Sequence, residues 1–210
     1  MHVISLRAKL KTAHPRPTAR QAEQEAEGYE VKLDGLLTKP APSFDEPLEM
    51  LKACHERIAA QCATLAKLSA HLPSHGADEQ AQQAARNIMR YFDVAGPHHH
   101  ADEEEDLFPL LIAEGQRRGS PVVEVIASLL TEHRSLEANW AQLRAVLADI
   151  AQGQVRPIER AWAESFADAY RRHIAVEEGQ VLVFAQACLD RKQLARLSTT
   201  MVARRAVASH

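Results

Sequence analysis

Residues 121–153 read PVVEVIASLLTEHRSLEANWAQLRAVLADIAQG, and this stretch decides the fold. Apolar side chains recur in it at Ile126, Leu129, Leu136, Trp140, Leu143, Leu147 and Ile150, and His133 fills the one gap. The spacing alternates three and four without a break. That rhythm places every one of these positions on one stripe of an α-helix, and the stripe needs a partner surface to bury it. Ser120 and Pro121 suit the start of such a helix, and Gly153 suits its end.

Similar seams lie on either side. Leu48, Leu51, His55, Ile58, Cys62, Leu65, Leu68 and Leu72 mark a first helix. Ser43 or Asp45 can cap it, Pro47 lies in its first turn, and Pro73 with Gly76 closes it. A second helix begins near Asp78 and carries Ile88, Phe92, Ala95, His99, Glu103, Leu107 and Leu110 as far as Gly115. Gly96-Pro97 should kink it just before the histidines, and Pro109 offers a second kink. A fourth starts near Pro157 and carries Trp162, Phe166, Ala169, His173, Glu177, Val181 and Phe184. A short tail helix over about 190–205 holds Leu194, Leu197 and Met201. Strand signals are absent. The pattern predicts an all-α, up-down-up-down four-helix bundle with a short C-terminal fifth helix, over residues 44–206. Residues 1–43 differ: they mix charge, Ala and Gln and carry Pro15, Pro17, Pro40 and Pro42. They read as an N-terminal arm and linker, flexible or loosely docked, with a short polar helix at 19–27.

Composition excludes several function classes. A net charge of −3 and a pI near 6.4 give no electrostatic case for nucleic acid or an anionic membrane surface. No apolar run has the length of a membrane span, and no secretory signal is visible. Cys54, Cys62 and Cys188 lack CxxC spacing and read as small buried thiols in a reducing cytosol. The expected setting is cytoplasmic.

The histidines carry the chemistry. His99-His100-Ala101-Asp102-Glu103-Glu104 and His173-Ile174-Ala175-Val176-Glu177-Glu178 repeat one another: a histidine, then a glutamate four residues on, then a second glutamate. Each copy follows a lone seam histidine, His55 for the first and His133 for the second. Four residues advance a helix by about 6 Å and roughly 40° past a full turn, so each His–Glu pair shares a face. Counted from one end of an antiparallel bundle, all six side chains lie roughly 15 to 22 Å deep. Buried imidazoles cost free energy unless bonded, and two facing carboxylates repel unless a cation lies between them. Two divalent or trivalent cations, held by His55, His99, Glu103, His133, His173 and Glu177, remove both problems. Mixed imidazole and carboxylate donors suit iron or manganese, with zinc acceptable.

His100 with Glu104 is a rival pairing on the second helix, but the second copy favours His99 with Glu103. On that register His98 and His100 point away from the face His99 uses. Glu104, Glu105, Asp106 and Glu178 then read as solvated or outer-shell groups, and Glu137 as an outside candidate for a ligand. His2, His14, His71, His75 and His210 fall in tails or loops. Trp140, Phe92 and Phe166 read as core that could also wall a ligand pocket. Arg191, Lys192, Arg196, Arg204 and Arg205 read as a solvated helix face.

At these residues the chain resembles the hemerythrin-like (HHE cation-binding) family over roughly 45–190. His55, the run from His99 to Pro109, Glu132-His133, and His173 through Glu178 carry the resemblance, with Val183 where a proline is usual. The resemblance implies a four-helix bundle with a non-haem di-iron centre, oxo- or hydroxo-bridged, on the same six residues. Oxygen-carrying members have a further histidine on the third helix, where this chain has Leu129 or Glu137. Four histidines make it look more like bacterial members linked to nitric oxide, oxygen or iron handling. Iron-centre repair proteins of this type carry a cysteine-bearing N-terminal domain, and this arm has no cysteine.

The leading expectation is a di-iron protein that binds a small diatomic ligand or peroxide, in sensing, scavenging or iron homeostasis. The rival is a di-iron redox enzyme: a peroxidase, a nitric oxide reductase or an iron-centre repair protein. Ferritin-like storage predicts Glu-x-x-His spacing, and no histidine here has a glutamate three residues before it. A metal-free interaction module predicts no loss of stability on chelation.

Overall fold

The structure, a computed structural model, describes residues 45–207, and all its regular structure is helical. The expected arm and its polar helix lie outside the described residues, as do Ser43, His2, His14 and His210. Helix α1 is Pro47–His75. Its whole seam from Leu48 to Leu72 is buried. Pro47 takes the first position, where a missing N–H costs nothing, and Gly76 ends the helix at a φ of +65° that other residues avoid. Rod α2 is built from consecutive segments: Glu79–Arg90, Tyr91–Ala95, Gly96–Ala101, Asp102–Leu107 and Phe108–Arg118. Asp78 caps it by accepting from the Ala81 N–H at 2.8 Å. Helix α3 is Val122–Ala151, rod α4 runs through Arg160–Val176, Glu177–Val181 and Leu182–Cys188, and α5 is Arg191–Val207.

The kinks expected at the prolines are π turns. Tyr91–Ala95 precedes Pro97, and Asp102–Leu107 precedes Pro109. Proline cannot donate to the carbonyl four residues back and its ring crowds it, so the helix widens ahead of it. Gly96 N–H then reaches the Tyr91 carbonyl, and Phe108 N–H the Glu103 carbonyl, five residues back. A third π turn, Glu177–Val181, forms in α4 although Val183 stands in the proline's place.

These turns move the seam. In α2 the buried positions are Gly96 and Leu111 rather than Ala95 and Leu110. In α4 the buried position past the π turn is Ala185 rather than Phe184; ahead of it, Ala163 and Tyr170 replace Trp162 and Ala169 because the regular helix puts 163, 166, 170 and 173 on the core face. A seam that repeats every four residues outruns a helix of 3.6 per turn, and a π turn brings it back to the same face. Rod α4 also starts later than Pro157 suggested. Ile158 is buried in the core and Glu159 is extended, which delays the first turn to Arg160.

The core falls into two apolar clusters. One holds Leu65, Ile88, Leu143, Ile150 and the rings of Phe92 and Phe166. The other holds Leu51, Leu107, Ile126, Leu129, Val181 and Met201. Between them in every rod sits a buried polar stretch: His55, His99 to Glu103, His133, and His173 to Glu177. Phe92 packs 4.9 Å from Trp140 and 5.5 Å from Phe166, ring centre to ring centre, inside the first cluster. No helix among the described residues is long and apolar enough to cross a membrane.

Leu143 is fully enclosed in the first cluster, away from the polar layer. Leu143→Ala is expected to destabilise the chain by about 2–5 kcal/mol. Urea unfolding of the metal-free protein measures it, and metal content is expected to stay unchanged.

Candidate metal centre

The six seam residues meet. His55, His99, Glu103 and Glu177 form one group whose donor atoms lie within 4.8 Å of one another, and His133, His173 and Glu177 form a second. All six are 2 % exposed or less. Each helix contributes at the level its sequence position requires, and the internal repeat places the two His–Glu pairs on opposed rods.

Both carboxylates lie between the histidine pairs. Glu103 turns Oε1 toward His55 Nε2 (3.8 Å) and His99 Nε2 (3.4 Å), and Oε2 toward His133 Nε2 (3.6 Å). Glu177 does the reverse: Oε2 lies 3.1 Å from His55 Nε2, while Oε1 lies 3.2 Å from His173 Nε2 and 3.7 Å from His133 Nε2. Two carboxylates that each offer one oxygen to each side are arranged as bridges. The inner atoms His55 Nε2, Glu103 Oε2 and both oxygens of Glu177 are buried without a hydrogen-bond partner. Such orphaned atoms are costly in a folded protein, and a pair of cations would satisfy them together. The donor set of hard carboxylate oxygen and imidazole nitrogen fits iron or manganese.

An outer layer fixes the rings. Glu178 Oε1 accepts from His55 Nδ1 at 2.9 Å, Glu104 Oε1 from His133 Nδ1 at 2.6 Å, and Glu132 Oε2 from His173 Nδ1 at 3.0 Å. With Nδ1 donating outward, Nε2 is the nitrogen that each of these rings turns to the interior, and those of His133 and His173 lie 3.0 Å apart. His99 Nδ1 alone among the four is buried with no partner. The doubled glutamates of the repeat therefore divide their work: the first of each pair faces inward, and the second braces a histidine on the neighbouring rod. Glu132 stood in the sequence only as part of the Glu132-His133 motif, with no role of its own; the structure gives it the bracing of His173.

Two expectations need correction. His100 does not point away: it is 8 % exposed, and its ring lies parallel to that of His133 at 4.0 Å. The π turns on either side of Gly96–Ala101 rotate the rod enough to seat two successive histidines in the layer. Glu137 Oε1 lies 3.6 Å from His100 Nδ1 and is largely exposed, outside both donor groups. The aromatic trio does not wall the opening near the site. A surface cleft of about 490 Å³ between α1 and α4 ends on His55 and Glu178, with Ala59, Ala63, Tyr170 and Ile174 along it. His71 and His75 stack on each other at the far end of α1, with His71 bonded to Asp78.

The metal-free layer carries strained protonation. Burial disfavours charge on His55, but the nearby carboxylates of Glu103 and Glu177 outweigh it and raise the ring to about 10. His133 is likewise raised to about 9, against burial, by Glu177, Glu103 and Glu104. Burial and the neighbouring Glu177 push Glu103 up. Burial would push Glu177 up too, but the imidazoles of His133, His173 and His55 around it hold it well below the carboxylate range. Burial, with cationic neighbours, pushes His99 down.

His55 and His133 thus hold protons in the folded metal-free chain that the unfolded chain releases near 6.5. Their stabilisation is complete below about 6.5 and is gone once pH has passed the folded values of about 9 and about 10. The urea midpoint of the metal-free protein is expected to fall steadily from pH 7 to pH 9. In His55→Gln the fall should be shallower, and an equal slope would show that His55 is not charged there.

Residues 46–185 match the hemerythrin HHE cation-binding domain. An uncharacterized protein of Haemophilus influenzae is 33% identical over 165 residues, covering 79% of this chain and 93% of its own. The match spans α1 to α4 and every residue of the buried layer, so the chain belongs to the hemerythrin HHE cation-binding family.

Proposed function

We propose that the chain holds two iron ions in the buried layer, one beside His55 and His99 and one beside His133 and His173, with Glu103 and Glu177 bridging. The observation that supports this most directly is the split of each carboxylate, one oxygen toward each histidine pair. When bound, the ion pair would supply a Lewis-acidic, redox-active position for a small ligand such as dioxygen, nitric oxide or peroxide. The chain's own part is to present Nε2 lone pairs inward, hold Nδ1 protons on Glu178, Glu104 and Glu132, and keep bulk water out with two apolar clusters. The cleft that ends on His55 and Glu178 suits entry of a molecule of that size. The role we assign is sensing, scavenging or iron homeostasis. Three unpaired cysteines support a reducing, cytoplasmic setting.

A redox enzyme of the same centre is the second reading, and His100 is what favours it. Its ring touches His133 and its Nδ1 faces the exposed Glu137, a line from solvent to the layer. Burial, with His133 and His173 close by, pushes His100 down to about 3. It is therefore neutral near pH 7 in the metal-free chain, free to accept a proton from the layer or pass one to Glu137.

Metal analysis and the absorption spectrum of freshly purified protein test the reading, since an oxo-bridged ferric pair absorbs in the near ultraviolet and zinc does not. Glu103→Ala or Glu177→Ala is expected to lower iron well below two per chain. His100→Ala is expected to leave it nearly unchanged. Should His100→Ala empty the site while His99→Ala does not, the assignment on α2 is wrong by one residue. Turnover of peroxide or nitric oxide by the loaded protein would favour the enzyme, and optical saturation without turnover the binding protein.

Outer bracing gives a graded effect. Glu104→Gln keeps the shape but weakens the hold on His133 Nδ1, and metal affinity is expected to drop about 10–100-fold. Competition with a coloured chelator reads it.

A further inference from the structure

The acidic run of α2 is paired with the C-terminal helix. Asp102 is fully buried, and both its carboxylate oxygens are taken by guanidinium groups. Arg204 bonds its Oδ1, and Arg205 Nη2 bonds its Oδ2 at 2.6 Å. Arg204 also reaches Glu105 Oε2 at 2.9 Å and Asp106 Oδ2 at 2.7 Å, while Arg205 Nη1 reaches the Met201 carbonyl at 2.8 Å. These two arginines are not the solvated face their spacing suggested; Arg191, Lys192 and Arg196 are. Leu197 and Met201 anchor the same helix in the second apolar cluster, which also holds Leu51 and Leu107.

The position of this pairing is what matters. Asp102 opens the π turn Asp102–Leu107 and adjoins Glu103 in sequence. Arg205 and Asp102 both act electrostatically on the thiol of Cys54, which adjoins His55. The arginines therefore grip α2 one residue away from the inner Glu103, and Arg205 is near enough to Cys54 of α1 to act on it electrostatically. Pro109 widens this turn, and the pairing of Asp102 holds its first residue, the neighbour of Glu103, in place. A carboxylate buried as deeply as Asp102 is costly unless it is paired, and the two guanidinium groups supply that pairing.

We propose that Arg204 and Arg205 are positioning residues of the metal centre: through Asp102 they fix the π turn that aims Glu103 between the two histidine pairs. Helix α5 is then part of the site's frame, though no residue of it touches the inner layer. The inference rests on the two-iron reading above.

The test measures iron release to excess chelator, in iron-loaded full-length protein, beside urea unfolding of the metal-free protein. Asp102→Asn, and the double variant Arg204→Gln with Arg205→Gln, are expected to release iron about 10–100-fold faster, the range for lost outer support of a metal ligand. They should also shift the near-ultraviolet bands. Leu197→Ala, which loosens the same helix without touching the arginines, should lower the urea midpoint and leave release and spectrum unchanged. If Leu197→Ala speeds release as much as the charge variants do, the arginines merely dock a helix and the proposal fails. It fails equally if the charge variants keep the release rate of the unaltered chain. If the unaltered chain binds no iron, the two-iron reading falls and takes this inference with it.

Discussion

Everything in this molecule answers to one constraint: the six candidate ligands, with His100 against them and Asp102 beside them, are buried at one level across the middle of an apolar bundle. Left alone, the layer resolves its charges by sharing protons, with His55 and His133 held charged against Glu177 and Glu103 pushed toward neutrality. That solution leaves inner atoms without partners. A pair of cations would remove the need for those protons and meet the orphaned atoms at once, which would couple metal binding to folding and to pH. The two apolar clusters on either side keep the layer dry, and low polarity strengthens each contact within it.

The site is built in concentric steps. Inner groups come from seam positions on four rods. Around them, Glu178, Glu104 and Glu132 each hold an Nδ1 of a ring on a neighbouring rod, so the bracing ties helices together as well as orienting rings. Outside that, Arg204 and Arg205 close over Asp102. His99 is the exception, with no outer acceptor for its Nδ1. The position next to it is therefore the less firmly framed of the two.

Much of this was legible in the chain. The four seams, the five helices and the six inner residues follow from periodicity, because a helix seam has a fixed direction and depth per residue. The internal repeat linked His99–Glu103 to His173–Glu177 before any coordinates. What periodicity could not give was the local change of period. A rigid 3.6-residue reading placed Ala95, Leu110, Trp162 and Phe184 in the seam and turned His100 outward. Three π turns shifted all of these but Trp162, which lies in the regular helix ahead of the turn in α4, and two of the turns could have been suspected from Pro97 and Pro109 together with a seam spaced by fours. The third has no proline to announce it.

The sequence by itself determined which side chains would be forced into the interior, since burial of an amphipathic stripe is a property of one helix. Tertiary structure alone decided which partners those side chains would find: that Glu132 holds His173, that His100 stacks on His133, and that Arg204 and Arg205 leave the solvent for Asp102. The physical reason is distance along the chain. Spacing within a helix fixes a face, but pairing across 41 or 103 residues depends on how the rods rotate and slide against each other, and only the packed bundle sets that.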